Sequence, residues 1–190
     1  MKTKLILLVS FLTFFLAENT EAQTTNYCDQ SKVISQQGYA YQSVVKDGMV
    51  DLFNKNNKFT YTEWKRKDGS PVGIEIADGE IDLIVDETWT KPICKGIVNH
   101  AFTFDQAERV KGVKFDITMT IDTSSGDVIE VQFWFLAGDP FCTIPLSVFR
   151  EIEVNLKRDV FFNLTETGKK LNFIKRGWMH DVDPKGAKPE

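Results

Sequence analysis

The chain has 190 residues, of which 42% are hydrophobic and 26% are charged, with 12 glycines and 6 prolines. These proportions are ordinary for a globular protein and exclude a collagen-like, a low-complexity or a wholly disordered chain. The formal net charge of −4 argues against a generic nucleic-acid-binding protein, because such proteins present a strongly basic surface.

The first segment predicts export. Two lysines precede the run 5–16, which is apolar except for one serine and one threonine. A positive start, a short apolar run and a small residue at the cleavage point are typical of a secretory signal peptide. We expect cleavage after Ala22, with Ala17 as the other candidate, so that residues 1–22 are the signal peptide and the mature protein is periplasmic or extracellular. No later segment approaches the roughly 20 apolar residues of a membrane span, so none is expected in the mature chain.

The expected location decides how the three cysteines are interpreted, because disulfides persist in oxidising compartments. An odd number permits at most one bridge within the chain. We expect Cys94 and Cys142 to form that bridge, since Cys28 lies in a polar segment near the mature N-terminus. Three unpaired thiols are the alternative, because spacing alone does not fix connectivity.

Short strand-like runs follow the polar segment 23–37. The runs 39–45, 49–53 and 59–64 are each bounded by Gly, Asp or Asn and predict three strands. In residues 73–85, alternating apolar residues flank the pair Asp78-Gly79. An Asp-Gly pair between two such runs predicts a β-hairpin with a two-residue loop.

This predicted hairpin collects acidic side chains. Seven acids and no base occur between Lys67 and Lys91: Asp68, Glu75, Asp78, Glu80, Asp82, Asp86 and Glu87. The hairpin register places three of them on one face as a candidate ligand-binding set: Glu75, Glu80 and Asp82. With Asp78 added they form a candidate metal site, because carboxylate oxygens suit calcium. A pair of these acids is alternatively a candidate acid and base for cleaving a glycoside, and a solvated acidic face is the third interpretation.

A second hairpin is predicted further along the chain. Alternate residues of 113–121 are apolar, and so are alternate residues of 129–135, so each strand has one apolar face. For these faces to meet, Ile121 has to lie opposite Ile129, with residues 123–127 as the loop. A shift of one residue would expose a whole apolar set. Gly126 is expected to supply the positive φ that the loop or its bulge requires.

The segment 145–158 predicts the principal helix. Leu146, Phe149, Ile152 and Leu156 recur every three to four residues and form one apolar stripe. Strands are expected at 160–164 and 171–179, and a flexible tail at 181–190. We therefore expect an α+β fold over 23–180, in which an antiparallel sheet of hairpins carries one principal amphipathic helix on one face. That face is expected to consist of Phe115, Ile117, Met119, Val131 and Phe133.

The charge changes sign in the C-terminal part, where seven basic and four acidic residues lie between Arg150 and Arg176. A basic surface beside aromatic side chains suits an anionic glycan, a membrane surface or an acidic partner, although such aromatic residues usually belong to the core. Neither His100 nor His180 has a catalytic partner that the sequence identifies.

The segments IPLS, EIE and GKKLNFI, together with the second predicted hairpin, lie between Val113 and Trp178. Here the chain resembles a family of small secreted or periplasmic proteins of Bacteroidota, a domain of unknown function. The resemblance implies no activity and transfers no catalytic residue. The order hairpin, helix, strand is also similar to the C-terminal domain of TonB-type periplasmic proteins, by architecture alone.

These observations favour an exported, non-catalytic binding or protein-interaction module whose partner is a protein or a glycan. One alternative is a glycan or peptide hydrolase that uses acids of the 75–87 segment, which requires two carboxylates about 5–10 Å apart in a pocket. The other is a domain stabilised by calcium. No other cofactor is expected.

Overall fold

The computed structural model describes residues 27–77, 79 and 81–189, so the expected signal peptide lies outside the described residues. The strands are β1 (Lys32–Gln36), β2 (Tyr39–Lys46), β3 (Met49–Asn54), β4 (Lys114–Ile121), β5 (Val128–Leu136) and β6 (Ile174–Asp181). The α-helices are α1 (Ile74–Ala77), α2 (Thr90–Ala101), α3 (Phe104–Val110) and α4 (Leu146–Asp159). The strands form one antiparallel sheet in the order β1-β2-β3-β5-β4-β6, which confirms the predicted α+β fold. None of the described helices is both long and apolar enough to cross a membrane.

Two tight turns build the N-terminal half of the sheet. Gln37-Gly38 joins β1 to β2 and Asp47-Gly48 joins β2 to β3, and all four residues have positive φ. Loops of this kind are type I′ turns, whose twist matches that of antiparallel strands. The predicted strands 39–45 and 49–53 are confirmed as β2 and β3.

The prediction of a strand at 59–64 is wrong, because this segment lies over the sheet instead of joining it. The ring of Phe59 is 5.1 Å from that of Phe173, and the ring of Tyr61 is 5.7 Å from that of Phe53. The backbone N–H of Phe59 donates to the carboxylate of Glu130 at 3.0 Å. Aromatic packing and a hydrogen bond to a side chain therefore hold this segment in place of the backbone hydrogen bonds of a strand.

The central hairpin of β4 and β5 is confirmed, with a change of register at its loop end. Ile117 lies opposite Phe133, as the alternation predicts. A β-bulge then makes Val128 the partner of Ile121, so the prediction of Ile129 in that position is wrong by one residue. An extra residue of this kind is what a bulge inserts into one strand.

Gly126 is required in the loop of this hairpin. Its φ is +83°, and a Cβ atom here would lie 2.1 Å from the carbonyl oxygen of Phe162. The N–H of Phe162 donates to the carbonyl of Gly126 at 2.8 Å. The segment after α4 is thereby held against the loop, and the predicted strand 160–164 is reduced to isolated bridges at Phe161 and Leu164.

Helix α4 confirms the predicted principal helix and the face that it covers. The four predicted apolar residues of its stripe are all buried. The ring of Phe149 lies 5.1 Å from that of Phe133 and 5.8 Å from that of Phe135. The predicted sheet residues beneath the helix are also buried: Phe115, Ile117, Met119, Val131 and Phe133.

Helix α2 is not predicted by the sequence, and it packs beside α4. It contains Pro92 and Gly96, two poor helix formers. Pro92 lies in the first turn, where its missing N–H removes no helical hydrogen bond. Val98 and Ala101 are buried, so tertiary packing stabilises this helix more than intrinsic propensity does.

A buried carboxylate joins α4 to the N-terminal strands. The side chain of Glu153 is 1% exposed and accepts hydrogen bonds from the Tyr41 hydroxyl, from Asn54 at 3.2 Å and from Arg150 at 2.8 Å. Burial, with Glu153 beside it, raises the pKa of Tyr41 well above its usual value. The tyrosine therefore stays protonated and donates, which satisfies the buried acceptor.

The expected bridge between Cys94 and Cys142 is wrong. The disulfide joins Cys28 to Cys142, and Cys94 is a buried free thiol. Tyr27 explains why the polar N-terminal segment docks here, because its side chain is 1% exposed and its hydroxyl lies within 2.7 Å of the carbonyl oxygen of Phe141. One buried aromatic residue thus brings its neighbouring cysteine to the bridge.

The expectation of a flexible tail at 181–190 is also wrong over its described part. Val182 is 1% exposed and Pro184 is buried in a short 3₁₀-helix. The N–H of Lys188 donates to the carbonyl of Phe102 at 2.9 Å, and its ammonium pairs with Glu151. The segment therefore packs against α2 and α3 and forms an ion pair with α4.

The cysteine pairing predicts a count of reactive thiols. In denaturant without reductant, we expect the wild-type chain from residue 23 onward to react with one equivalent of thiol reagent, because Cys94 alone is unpaired among its cysteines. Cys94→Ser is expected to react with none. Cys142→Ser is expected to react with two and to lose about 2–5 kcal/mol of unfolding free energy. Retention of a reactive thiol in Cys94→Ser would contradict the pairing.

Candidate functional site

The acidic hairpin predicted at 73–85 does not form. Helix α1 occupies Ile74–Ala77, and the later part of the segment pairs elsewhere. The N–H of Val85 donates to the carbonyl of Asn163 at 2.8 Å, and the N–H of Thr165 donates to that of Leu83 at 3.0 Å. The apolar residues that alternate here find their partner after α4, so the hairpin prediction is wrong.

Of the predicted ligand and metal residues, the structure describes the backbone of Glu75 and the side chain of Asp82. Glu75 lies in α1, Asp78 and Glu80 fall outside the described residues, and Asp82 is exposed. Within residues 27–77, 79 and 81–189, no group of three or more His, Cys, Asp or Glu side chains is placed to hold a metal ion. The sites at Glu75, Glu80 and Asp82, with or without Asp78, remain predictions.

An open groove of about 380 Å³ lies between α2 and β6, and we call it the α2–β6 groove. Helix α2 contributes Thr90, Lys91, Cys94 and Lys95 to its lining. Strand β6 contributes Arg176, Gly177, Trp178, Met179, His180 and Asp181. Glu87, Met119 and Phe162 complete the lining.

His180 is held neutral beside the groove. Trp178 Nε1 lies 3.2 Å from His180 Nδ1, and Asn99 Oδ1 lies 2.9 Å from His180 Nε2. An indole N–H only donates, so Nδ1 accepts and the proton resides on Nε2, which donates to Asn99. Burial, helped by the nearby Lys95 ammonium, lowers the pKa of His180 to about 4.

Cys94 is the other reactive side chain in the groove. Burial, with a smaller contribution from the Glu87 carboxylate, raises the pKa of its thiol to about 11. The thiolate is the nucleophilic form of cysteine, and a pKa this high leaves the thiol protonated at neutral pH. Its position in α2 therefore supports packing and gives no activated nucleophile.

The charged residues of the groove are arranged around an ion pair. Arg176 Nε donates to Glu87 at 2.7 Å, and a second guanidinium nitrogen contacts the other carboxylate oxygen. Lys91 and Lys95 lie one helical turn apart on α2 and are exposed. No ion pair to either lysine occurs among the described residues. The α2 wall thus offers two positive charges to a ligand.

Sequence reasoning missed this groove, although it named some of its parts. From the sequence alone, Arg176 belongs to a basic C-terminal segment beside aromatic residues, and His180 has no catalytic partner. The alternation of Arg176, Trp178 and His180 along one strand is the signal that places them on one face. Nothing in the sequence places α2 against that face.

The low pKa of His180 predicts a loss of stability in mild acid. The unfolded chain takes up a proton near pH 6.5, whereas the folded chain does so only near pH 4, so protons favour unfolding between these values. We therefore expect the unfolding free energy to fall by about 2 kcal/mol from pH 7.5 to pH 5, because His180 takes up a proton in the unfolded chain. Urea unfolding at both pH values measures this, and His180→Gln should weaken the dependence. An unchanged dependence in His180→Gln would contradict the buried neutral imidazole.

The calcium hypothesis makes a separate prediction. An ion that binds only the folded chain raises the melting temperature of the protein. If calcium binds through Asp82 and its neighbours, the wild-type melting temperature should be higher in calcium than in EDTA. Asp82→Asn should reduce that rise. Equal melting temperatures with calcium and with EDTA would contradict the hypothesis.

Comparison with known proteins identifies the family. The family model described as Domain of unknown function (DUF5043) matches residues 23–178. The crystal structure of a DUF5043 family protein from Bacteroides uniformis is similar, with a TM-score of 0.76 and 34% sequence identity over 83% of this chain and 95% of that chain. No curated protein matches the chain. The predicted resemblance to a Bacteroidota domain of unknown function is confirmed, and the chain belongs to the DUF5043 family.

Proposed function

We propose that this domain is an exported, non-catalytic binding module whose ligand occupies the α2–β6 groove. The observation that carries the proposal is a preformed, largely apolar groove in which neither His180 nor Cys94 is in a form suited to catalysis. The disulfide between Cys28 and Cys142 supports export, because such bridges persist in oxidising compartments.

The states of His180 and Cys94 favour binding over catalysis. A general base works best with a pKa near the operating pH and with a free lone pair. The Nδ1 lone pair of His180 is engaged by Trp178, and the pKa near 4 is far from neutrality. Cys94, with a pKa near 11, has no activating partner among its described contacts. Both side chains are suited to shaping a site.

The lining indicates the class of ligand. Trp178 offers an apolar surface beside the buried side chains of Phe162 and Met119, and small-molecule sites typically combine such a surface with a few polar groups that fix orientation. Lys91 and Lys95 favour a negative group at the α2 wall. A ligand with an apolar body and an anionic group therefore satisfies both surfaces.

Anilinonaphthalene sulfonate, an anionic aromatic dye that fluoresces in apolar sites, provides a direct test. We expect saturable binding to the wild-type domain, with Trp178→Ala weakening the affinity about tenfold because an aromatic contact is lost. The matched control is Trp134→Ala. Trp134 is 41% exposed and lies on the opposite face of the sheet, so its loss should change the affinity less than about twofold.

Charge is tested on the same assay. The double variant Lys91→Glu with Lys95→Glu should weaken dye binding, and Lys46→Glu with Lys55→Glu, at two exposed lysines outside the groove, should not. Far-ultraviolet circular dichroism checks that each variant is folded. Equal affinities for the wild type and Trp178→Ala, or no saturable binding to the wild type, would overturn the proposal.

A further inference from the structure

Strand β6 is an edge of the sheet. It pairs with β4 on one side, and the sheet order places no strand on its other side. Among the described residues, no backbone hydrogen bond reaches the main chain between Lys175 and Asp181 from that outer side. Alternate N–H and C=O groups of this segment are therefore available, which makes the edge a template for another extended chain.

The α2–β6 groove runs along this edge. Six consecutive residues of β6, from Arg176 to Asp181, line it. Successive side chains of a strand point to opposite faces, and the groove contacts residues of both sets: Arg176, Trp178 and His180, and Gly177, Met179 and Asp181. Met119 of β4 also lines it, so the groove covers part of the core-side face of β6 and extends to the strand's outer edge.

Helix α2 forms the opposite wall of the groove. Its lining residues are Thr90 and Lys91 in one turn and Cys94 and Lys95 in the next, which is a stripe along one side of the helix. The distance along β6 from Arg176 to Asp181 is about 17 Å at roughly 3.3 Å per residue. A helix and an unpaired strand thus flank a slot whose length fits an extended segment of five or six residues.

We propose that the α2–β6 groove binds an extended, acidic peptide segment of a partner protein, which adds to β6 as a further strand. This inference rests on the proposed function, since it names the ligand of the same groove. Strand addition obtains affinity from main-chain hydrogen bonds and specificity from pockets for alternate side chains. The unpaired edge of β6 can provide the main-chain hydrogen bonds, and the apolar surface at Trp178 can receive a side chain of the bound segment.

The acidic character of the partner follows from the α2 wall. Lys91 and Lys95 are exposed and have no ion-pair partner among the described residues, whereas Arg176 is already paired with Glu87. An acidic side chain on the α2 side of the bound segment would meet both ammonium groups.

The probe for the test is a fluorescein-labelled hexapeptide in which glutamate alternates with valine, with one valine replaced by phenylalanine. Fluorescence anisotropy measures its binding to the domain from residue 23 onward. Two matched peptides carry N-methyl groups on one or the other alternate set of amides, and a third has lysine in place of glutamate.

We expect the unmethylated acidic peptide to bind. One of the two methylated peptides should bind at least about tenfold more weakly, because the amides that face β6 are blocked, while the other stays within about threefold. The lysine peptide should also bind at least about tenfold more weakly. On the protein, Lys91→Glu with Lys95→Glu should weaken binding of the acidic peptide, and Lys46→Glu with Lys55→Glu should not.

A second readout reports the edge directly. Amide hydrogen exchange should slow on peptide binding at alternate residues between Lys175 and Asp181. Equal affinities of both methylated peptides and the parent, or unchanged exchange in β6, would overturn strand addition. If the dye binds the groove and no peptide does, the proposed function stands and this inference fails; if neither binds, both fail.

Discussion

The contact between Phe149 and Phe133 holds the helical layer on the sheet, and the remaining structure depends on it. The two rings lie 5.1 Å apart, and Phe135 extends the cluster beneath the same helix. Aromatic contacts of this geometry stabilise by about 0.5–1.5 kcal/mol beyond the area that they bury. Because α4 is fixed in this way, α2 can pack beside it, and the groove opens where α2 meets the edge of the sheet.

Periodicity predicted the parts of the fold that local pattern determines. The two apolar faces of β4 and β5 meet as two-residue alternation requires, and the stripe on α4 is buried against them. The single error in this region, at Ile129, comes from a bulge. A bulge moves one residue without changing which face is apolar, so the apolar pattern of the strand does not reveal it.

Long-range pairing was not predictable in the same way. The alternating run around Leu83 and Ile84 fits a local hairpin, yet the structure pairs it with Leu164 and its neighbours. Burial of Tyr27 decides the disulfide, and burial of Val98 stabilises α2 despite its poor helix formers. The groove was not predictable for two reasons. Its two walls, α2 and β6, come from segments far apart in the sequence, and the sequence does not predict α2.

The charge pattern acquires a different meaning in three dimensions. The acidic segment and the basic C-terminal segment appear in the sequence as two separate regions. In the structure Glu87 from the first pairs with Arg176 from the second, and this contact lies within the α2–β6 groove. The pair joins the approach to α2 with β6, so the charge contrast contributes to the architecture of the proposed binding site.

The position of the disulfide has a consequence for biogenesis on the proposed export route. A chain that crosses a membrane from its N-terminus delivers Cys28 first, Cys94 second and Cys142 last. Cys94, which is not the partner of Cys28 in the folded protein, therefore reaches the oxidising side before Cys142 does. Correct pairing then requires that oxidation wait for the second half of the chain, or that an early bridge to Cys94 be exchanged before α2 closes over that thiol.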